Sequence, residues 1–181
     1  MVGVPLGEER GAPPPFPTRS LSDKEFREGV ITVSHSVRAE YRWDAGVAIG
    51  RYLDGLKEGR ILGRECRVCG RVLVPPRMFC EQCFRPTDRW VDVAPTGTVN
   101  TYSVCYVTWD MRPLTIPEFP AVIELGDAQG APQGALYGGI LHRLGGVEPG
   151  DVHIGMPVEA VWKPPEERRG SILDIVHWKP V

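Results

Sequence analysis

Apolar and polar positions alternate along much of the second half of the chain. Over residues 97–109, Val99, Thr101, Ser103, Cys105 and Val107 fall on one side and Tyr102, Val104 and Tyr106 on the other, which predicts one long strand, partly apolar on both faces. Trp109-Asp110 ends it as a turn. Further strands are expected at 121–125, 135–142, 158–162 and 171–178. Turn residues separate them: Pro117, Gly126, Gly130, Gly145-Gly146, Pro149-Gly150 and Pro164-Pro165. The first half follows another period. Ile49, Tyr52, Leu53 and Leu56 recur at helical spacing behind Asp44, a candidate N-cap, and Gly59 sits where a C-terminal cap belongs. Earlier still, Ile31, Val33, His35 and Val37 alternate with Thr32, Ser34 and Ser36, as in a short strand or extended arm. Residues 3–20 hold five prolines and no periodicity, so an extended or disordered tail is expected.

Between the two halves lie Cys66-Arg67-Val68-Cys69 and Cys80-Glu81-Gln82-Cys83, two CxxC pairs with ten residues between them. Two intervening residues let both thiolates of a pair point to one side of a tight turn, and Gly70 follows the first pair, where a positive φ is useful. Two such knuckles face to face make a tetrahedral four-sulfur site, so Cys66, Cys69, Cys80 and Cys83 are the expected ligands of one structural zinc; iron fits the same cage. A closed four-thiolate site leaves the metal no open position for substrate. Cys105, inside a strand pattern and away from basic neighbours, reads as a buried, inert thiol.

The 181 residues suit one domain or two small ones, and Gly and Pro make up about a fifth of them, which favours strands and turns over a helical bundle. The net charge of −2 disfavours a general phosphate-backbone binder. It is unevenly spread: residues 60–90 carry seven arginines against three acids, whereas residues 91–181 carry six basic against eleven acidic groups. No stretch approaches the roughly 20 apolar residues of a membrane span, and the N-terminus lacks a signal-peptide core, so a cytoplasmic protein without membrane partners is expected. His35, His142, His153 and His177 are scattered, and no nucleophile elbow or phosphate loop occurs, so no catalytic residue is assigned.

Five short strands in about 85 residues fit a small OB-type barrel. The expected class is therefore mainly β: an extended arm (1–40), a helix (41–60), a rubredoxin-like zinc ribbon (61–90) and a five-stranded OB-fold barrel (91–181). That order, with Tyr52-Leu53-Asp54-Gly55-Leu56-Lys57-Glu58-Gly59, the Cys66–Arg71 knuckle, Val74-Pro75-Pro76-Arg77, Trp90-Val91, Thr96-Gly97-Thr98-Val99 and Ile154-Gly155-Met156-Pro157-Val158-Glu159, resembles the acyl-CoA-associated zinc-ribbon OB-fold family catalogued as domain of unknown function thirty-five. The resemblance covers residues 41–181.

It implies a non-catalytic accessory subunit that docks on a thiolase-fold enzyme, a thiolase, acyltransferase or aldolase, and helps form its acyl-CoA channel. It also implies coenzyme A as a ligand shared with that partner, with Arg71, Pro75, Pro76 and Arg77 as candidate contacts, because arginine's planar fork suits carboxylates and phosphates. The alternative is a nucleic-acid-binding protein, since ribbons and OB-folds recur there. It is disfavoured because the strand bearing Tyr102 and Tyr106 has no positive charge beside them.

Overall fold

A computed structural model of the chain describes residues 22–28, 38–108 and 110–181. It divides into two units, residues 1–42 and 43–181. In the first, helix α1 (Asp23–Arg27) is closed by a capping box, in which the Glu25 N–H donates to the Ser22 hydroxyl and the Ser22 N–H donates back to the Glu25 carboxylate. The expected Pro-rich tail and the alternating run 30–37, with His35, lie outside the described residues.

The second unit opens with α2 (Gly46–Glu58). Asp44 accepts the Gly46 N–H at 3.0 Å, while Ala45 occupies the N-cap position itself. Gly59 ends the helix at φ 79°, returning its N–H to the carbonyls of Gly55 and Leu56. Tyr52, Gly55 and Leu56 form the buried stripe. Gly55 is needed there, because an added Cβ would stand 2.8 Å from Leu62.

Two sheets follow. The first joins β1 (Ile61–Glu65), β2 (Val72–Leu73), β5 (Arg89–Val93) and β10 (Leu136–Tyr137) in the order β10-β2-β1-β5. β1 is antiparallel to both β2 and β5, whereas β10 pairs with β2 in parallel. The second knuckle is its own hairpin of β3 (Phe79–Cys80) and β4 (Arg85–Pro86). The second sheet is antiparallel throughout, β11 (Ile140–Arg143), β9 (Pro120–Leu125), β6 (Thr96–Tyr102), β12 (Pro157–Trp162) and β13 (Ile175–Pro180), in that order. A further hairpin, β7 (Cys105–Val107) with β8 (Pro113–Glu118), extends from it in sequence. One core serves both sheets and α2: Tyr52, Leu56, Ile61, Val72 and Val91 belong to the same buried cluster as Val99, Ile123, Val158, Ile175 and Trp178. Each such side chain contributes roughly 1.5–3 kcal/mol by leaving water.

The five OB strands are present, but the barrel is not closed. Its edge strands β11 and β13 meet at the single parallel bridge Leu144–Trp178, helped by the Gly145 N–H on the Trp178 carbonyl. Leu144 itself continues the β9 pairing, its N–H donating to the Phe119 carbonyl, while the Arg143 side chain donates to the Val176 carbonyl, an acceptor that a neighbouring strand would otherwise fill.

Three expected strands are divided. The long strand breaks at Ser103-Val104 into β6 and β7 after a register shift between Val99 and Thr101. Residues 113–118, expected as loop around Pro117, form β8; Trp109 lies outside the described residues. The 135–142 strand splits into β10 and β11 at Gly138-Gly139, and Ser171 caps a 3-10 turn (Ile172–Asp174) before β13 begins.

Candidate functional site

Both knuckles are built alike. The Gly70 N–H donates to the Cys66 carbonyl at 2.8 Å, and the Phe84 N–H donates to the Cys80 carbonyl at 2.9 Å. Each turn swings its two thiols to one side, and all four Sγ atoms lie within 4.8 Å of one another. Cys69 and Cys80, from opposite knuckles, stand 3.7 Å apart. A tetrahedral zinc with bonds of about 2.3 Å requires sulfurs about 3.8 Å apart, so the cage fits one such ion. Cys66 and Cys80 are buried, Cys83 is half-buried and Cys69 is exposed. Left to the protein alone, the thiols differ. The backbone N–H of Cys69 draws the Cys66 thiol down to about 7, and desolvation pushes Cys83 up to about 12. Four thiolates in this space therefore call for a cation.

A buried polar node holds the second knuckle to β1. Arg64 donates through Nε to the Thr87 hydroxyl at 2.8 Å and through a terminal nitrogen to the Thr87 carbonyl at 2.6 Å. The Thr87 hydroxyl donates onward to the Arg77 carbonyl. The guanidinium lies 4.8 Å from the centre of the Trp90 ring, and burial lowers its pKa. Glu65 pairs with Arg89 across the same strands.

The four contact candidates are not alike. Arg77 and Pro75 are exposed, and Arg77 stands 3.8 Å from Glu81. Pro76 is wholly buried. Arg71 lies 4.4 Å over the Tyr137 ring of β10 and 3.9 Å from Glu81, so it links the knuckle to the OB segment. Cys105, expected to be buried, is half-exposed in β7, which pairs only with β8 in a two-stranded hairpin outside the five-stranded sheet. Sequence reasoning missed Phe84, which occupies the Gly70 station at φ 52°. The contrast of Cys-x-x-Cys-Gly with Cys-x-x-Cys-Phe was the available signal. Nothing in the sequence pairs Arg64 with Thr87.

Fold and site together define a four-cysteine rubredoxin-like ribbon built into an OB sheet. Residues 53–89 match the rubredoxin-like zinc ribbon domain of ChsH2, and residues 90–163 match its C-terminal OB-fold domain. The chain is 35% identical, over 104 residues, to a DUF35 domain-containing scaffold protein of Methanocaldococcus jannaschii, covering 57% of this chain and 67% of that one. It belongs to the DUF35 family of ChsH2-type zinc-ribbon and OB-fold proteins. Two solved structures share the fold. A DUF35 protein of unknown function from Sulfolobus solfataricus has a TM-score of 0.55 and 24% identity, covering 75% of this chain and 85% of that one. The structure described as the Ltp2-ChsH2(DUF35) aldolase has a TM-score of 0.51 and 22% identity, covering 79% of this chain and 98% of that one. Among the described residues no helix is long and apolar enough to cross a membrane.

Proposed function

We propose that this chain is a non-catalytic scaffold subunit that docks onto a thiolase-fold enzyme and helps form its acyl-CoA channel, for making or breaking carbon–carbon bonds. Its membership of a family with a named scaffold protein, 35% identical over 104 residues, carries the reading. The aldolase structure whose name joins Ltp2 to a ChsH2(DUF35) chain supports it. Cys66, Cys69, Cys80 and Cys83 hold one zinc, which supplies a crosslink between the knuckles and no open coordination position. Pro75 and Arg77 face the partner or the phosphates of coenzyme A. Pro76 and Arg71 act from behind by fixing the loop.

The test is co-expression with the thiolase-fold protein encoded nearest to this gene. The two should co-elute on size exclusion, metal analysis should give one zinc per chain, and the enzyme's condensing or cleaving activity should fall when this subunit is withheld. Separate elution at low salt, with an enzyme fully active alone, would refute the reading, and binding to single-stranded DNA or RNA would be measured next.

A further inference from the structure

At the second knuckle, side chain and backbone disagree. Gly70 and Phe84 hold the same station, each donating its N–H to the carbonyl of the first cysteine of its pair. The turn puts both in left-handed backbone, at φ 73° and 52°. Gly70 suits it, having no Cβ. A bulky residue there is an outlier whose strain must be offset by something else. Burial within the chain does not offset it, because Phe84 is 80% exposed. Its ring contact is Phe79, edge-on with centroids 6.4 Å apart, and Phe79 is itself 49% exposed. Met78 beside it and Val68 on the other knuckle are exposed as well.

The positive charge of residues 60–90 is all arginine, with no lysine. Arg85 pairs with Asp88 at 3.3 Å and Arg77 stands 3.8 Å from Glu81, but both side chains keep about half or more of their surface in water. Arg67 has no ion pair among the described residues; its backbone N–H donates to Asp88. Exposed Phe and Met in a segment whose cations are all Arg is the composition of an interface centre rather than of a solvated surface.

We infer that Phe84 is the anchor of the docking surface. Its ring enters an apolar hollow on the enzyme partner, and carboxylates around that hollow receive Arg67, Arg77 and Arg85. The strained turn presents the ring outward and holds it there before binding, so little freedom is lost when it is buried. This rests on the scaffold reading and names the contact that carries it.

The experiment compares the full-length chain with its Phe84→Gly and Phe84→Asn variants. Zinc content, melting temperature and affinity for the thiolase-fold enzyme encoded nearest to the gene are measured. Glycine and asparagine both tolerate the left-handed turn and lack the ring. Both variants should keep one zinc per chain, and Phe84→Gly should melt no lower than the parent. Affinity should fall about tenfold or more, as for a central anchor. Arg67→Glu should slow association and flatten its salt dependence. A Phe84→Gly chain that binds as tightly as the parent sinks this inference alone. So does one that melts lower, since the ring would then be holding the knuckle. If the parent chain and the enzyme do not associate at all, the scaffold reading falls with it.

Discussion

Asp174 shows how much a single buried side chain can organise. Its carboxylate is 1% exposed and accepts the N–H groups of Arg169, Gly170 and Ser171 at 2.7–3.1 Å. Burial alone would raise its pKa, but the N–H groups of Ser171, Arg169 and Gly170 outweigh burial and hold it below the ordinary value. A carboxylate held low stabilises the fold at every pH above its unfolded value of about 3.9, and that stability is lost as pH falls through the folded value. Asp174→Ala should therefore cost about 2–3 kcal/mol near neutral pH, where three buried N–H groups lose their acceptor, and less in acid. Urea unfolding at pH 7 and pH 3 measures both. Two imidazoles act in the same direction at milder pH. Burial depresses the pKa of His142 and His177, so the unfolded chain takes up protons first. Stability should fall as pH drops below about 6.5, and a double His→Gln variant should flatten that limb.

Among the elements, the switch from β10 to β11 is the tightest passage. Gly138 sits at φ 107°, where an added Cβ would stand 2.2 Å from the Val74 carbonyl oxygen, and one on Gly139 would stand 2.9 Å from that of Ile123. Two bare residues let the chain leave the ribbon sheet past Val74 and enter the OB sheet alongside β9. Gly138→Ala should cost at least about 2–3 kcal/mol, because it adds both strain and a backbone clash, while Gly146→Ala, open on all sides, should cost only its positive φ. Thermal melts of the two variants side by side check this. The same passage explains what the sequence could and could not tell. Helix α2 and its glycine cap were legible because a period of 3.6 and a left-handed stop are local. The four cysteines were legible because their spacing is itself the geometry of the site. The splitting of 135–142 was not, because period-two alternation runs on through a strand that changes sheets, and only the distant Val74 and Ile123 explain the glycines. The break at Ser103-Val104 was hidden in the same way, and so was β8, whose Pro117 reads as a breaker in isolation and sits at a sheet edge in fact.

For the whole molecule, the metal cage and the OB sheet stand or fall together. β2 leads from the first knuckle and pairs with β10, Arg71 lies on Tyr137, and β1 shares its core with β6 and β13. Stripping the metal with a strong chelator should therefore do more than loosen residues 60–90. Amide exchange should rise in Leu136–Tyr137 as well, and the melting temperature of the chain should drop by many degrees, since structural zinc contributes on the order of 10 kcal/mol to such a segment. Cys80→Ser should reproduce the effect. Unchanged exchange at 136–137 after zinc loss would show that the two parts are independent. The position of β5 bears on anyone who treats the family's two domains as interchangeable parts. The boundary between their matches falls between residues 89 and 90, one residue into β5, with Arg89 opposite Glu65 and Trp90 opposite Arg64. A chimera spliced at that seam would keep Glu65–Arg89 within one parent but divide the other four β1–β5 pairs between parents, leaving a tryptophan from one against an arginine from the other. A graft that keeps this sheet whole runs through Val93 and brings residues 136–137 with it, so the structural unit to be traded is larger than the ribbon alone.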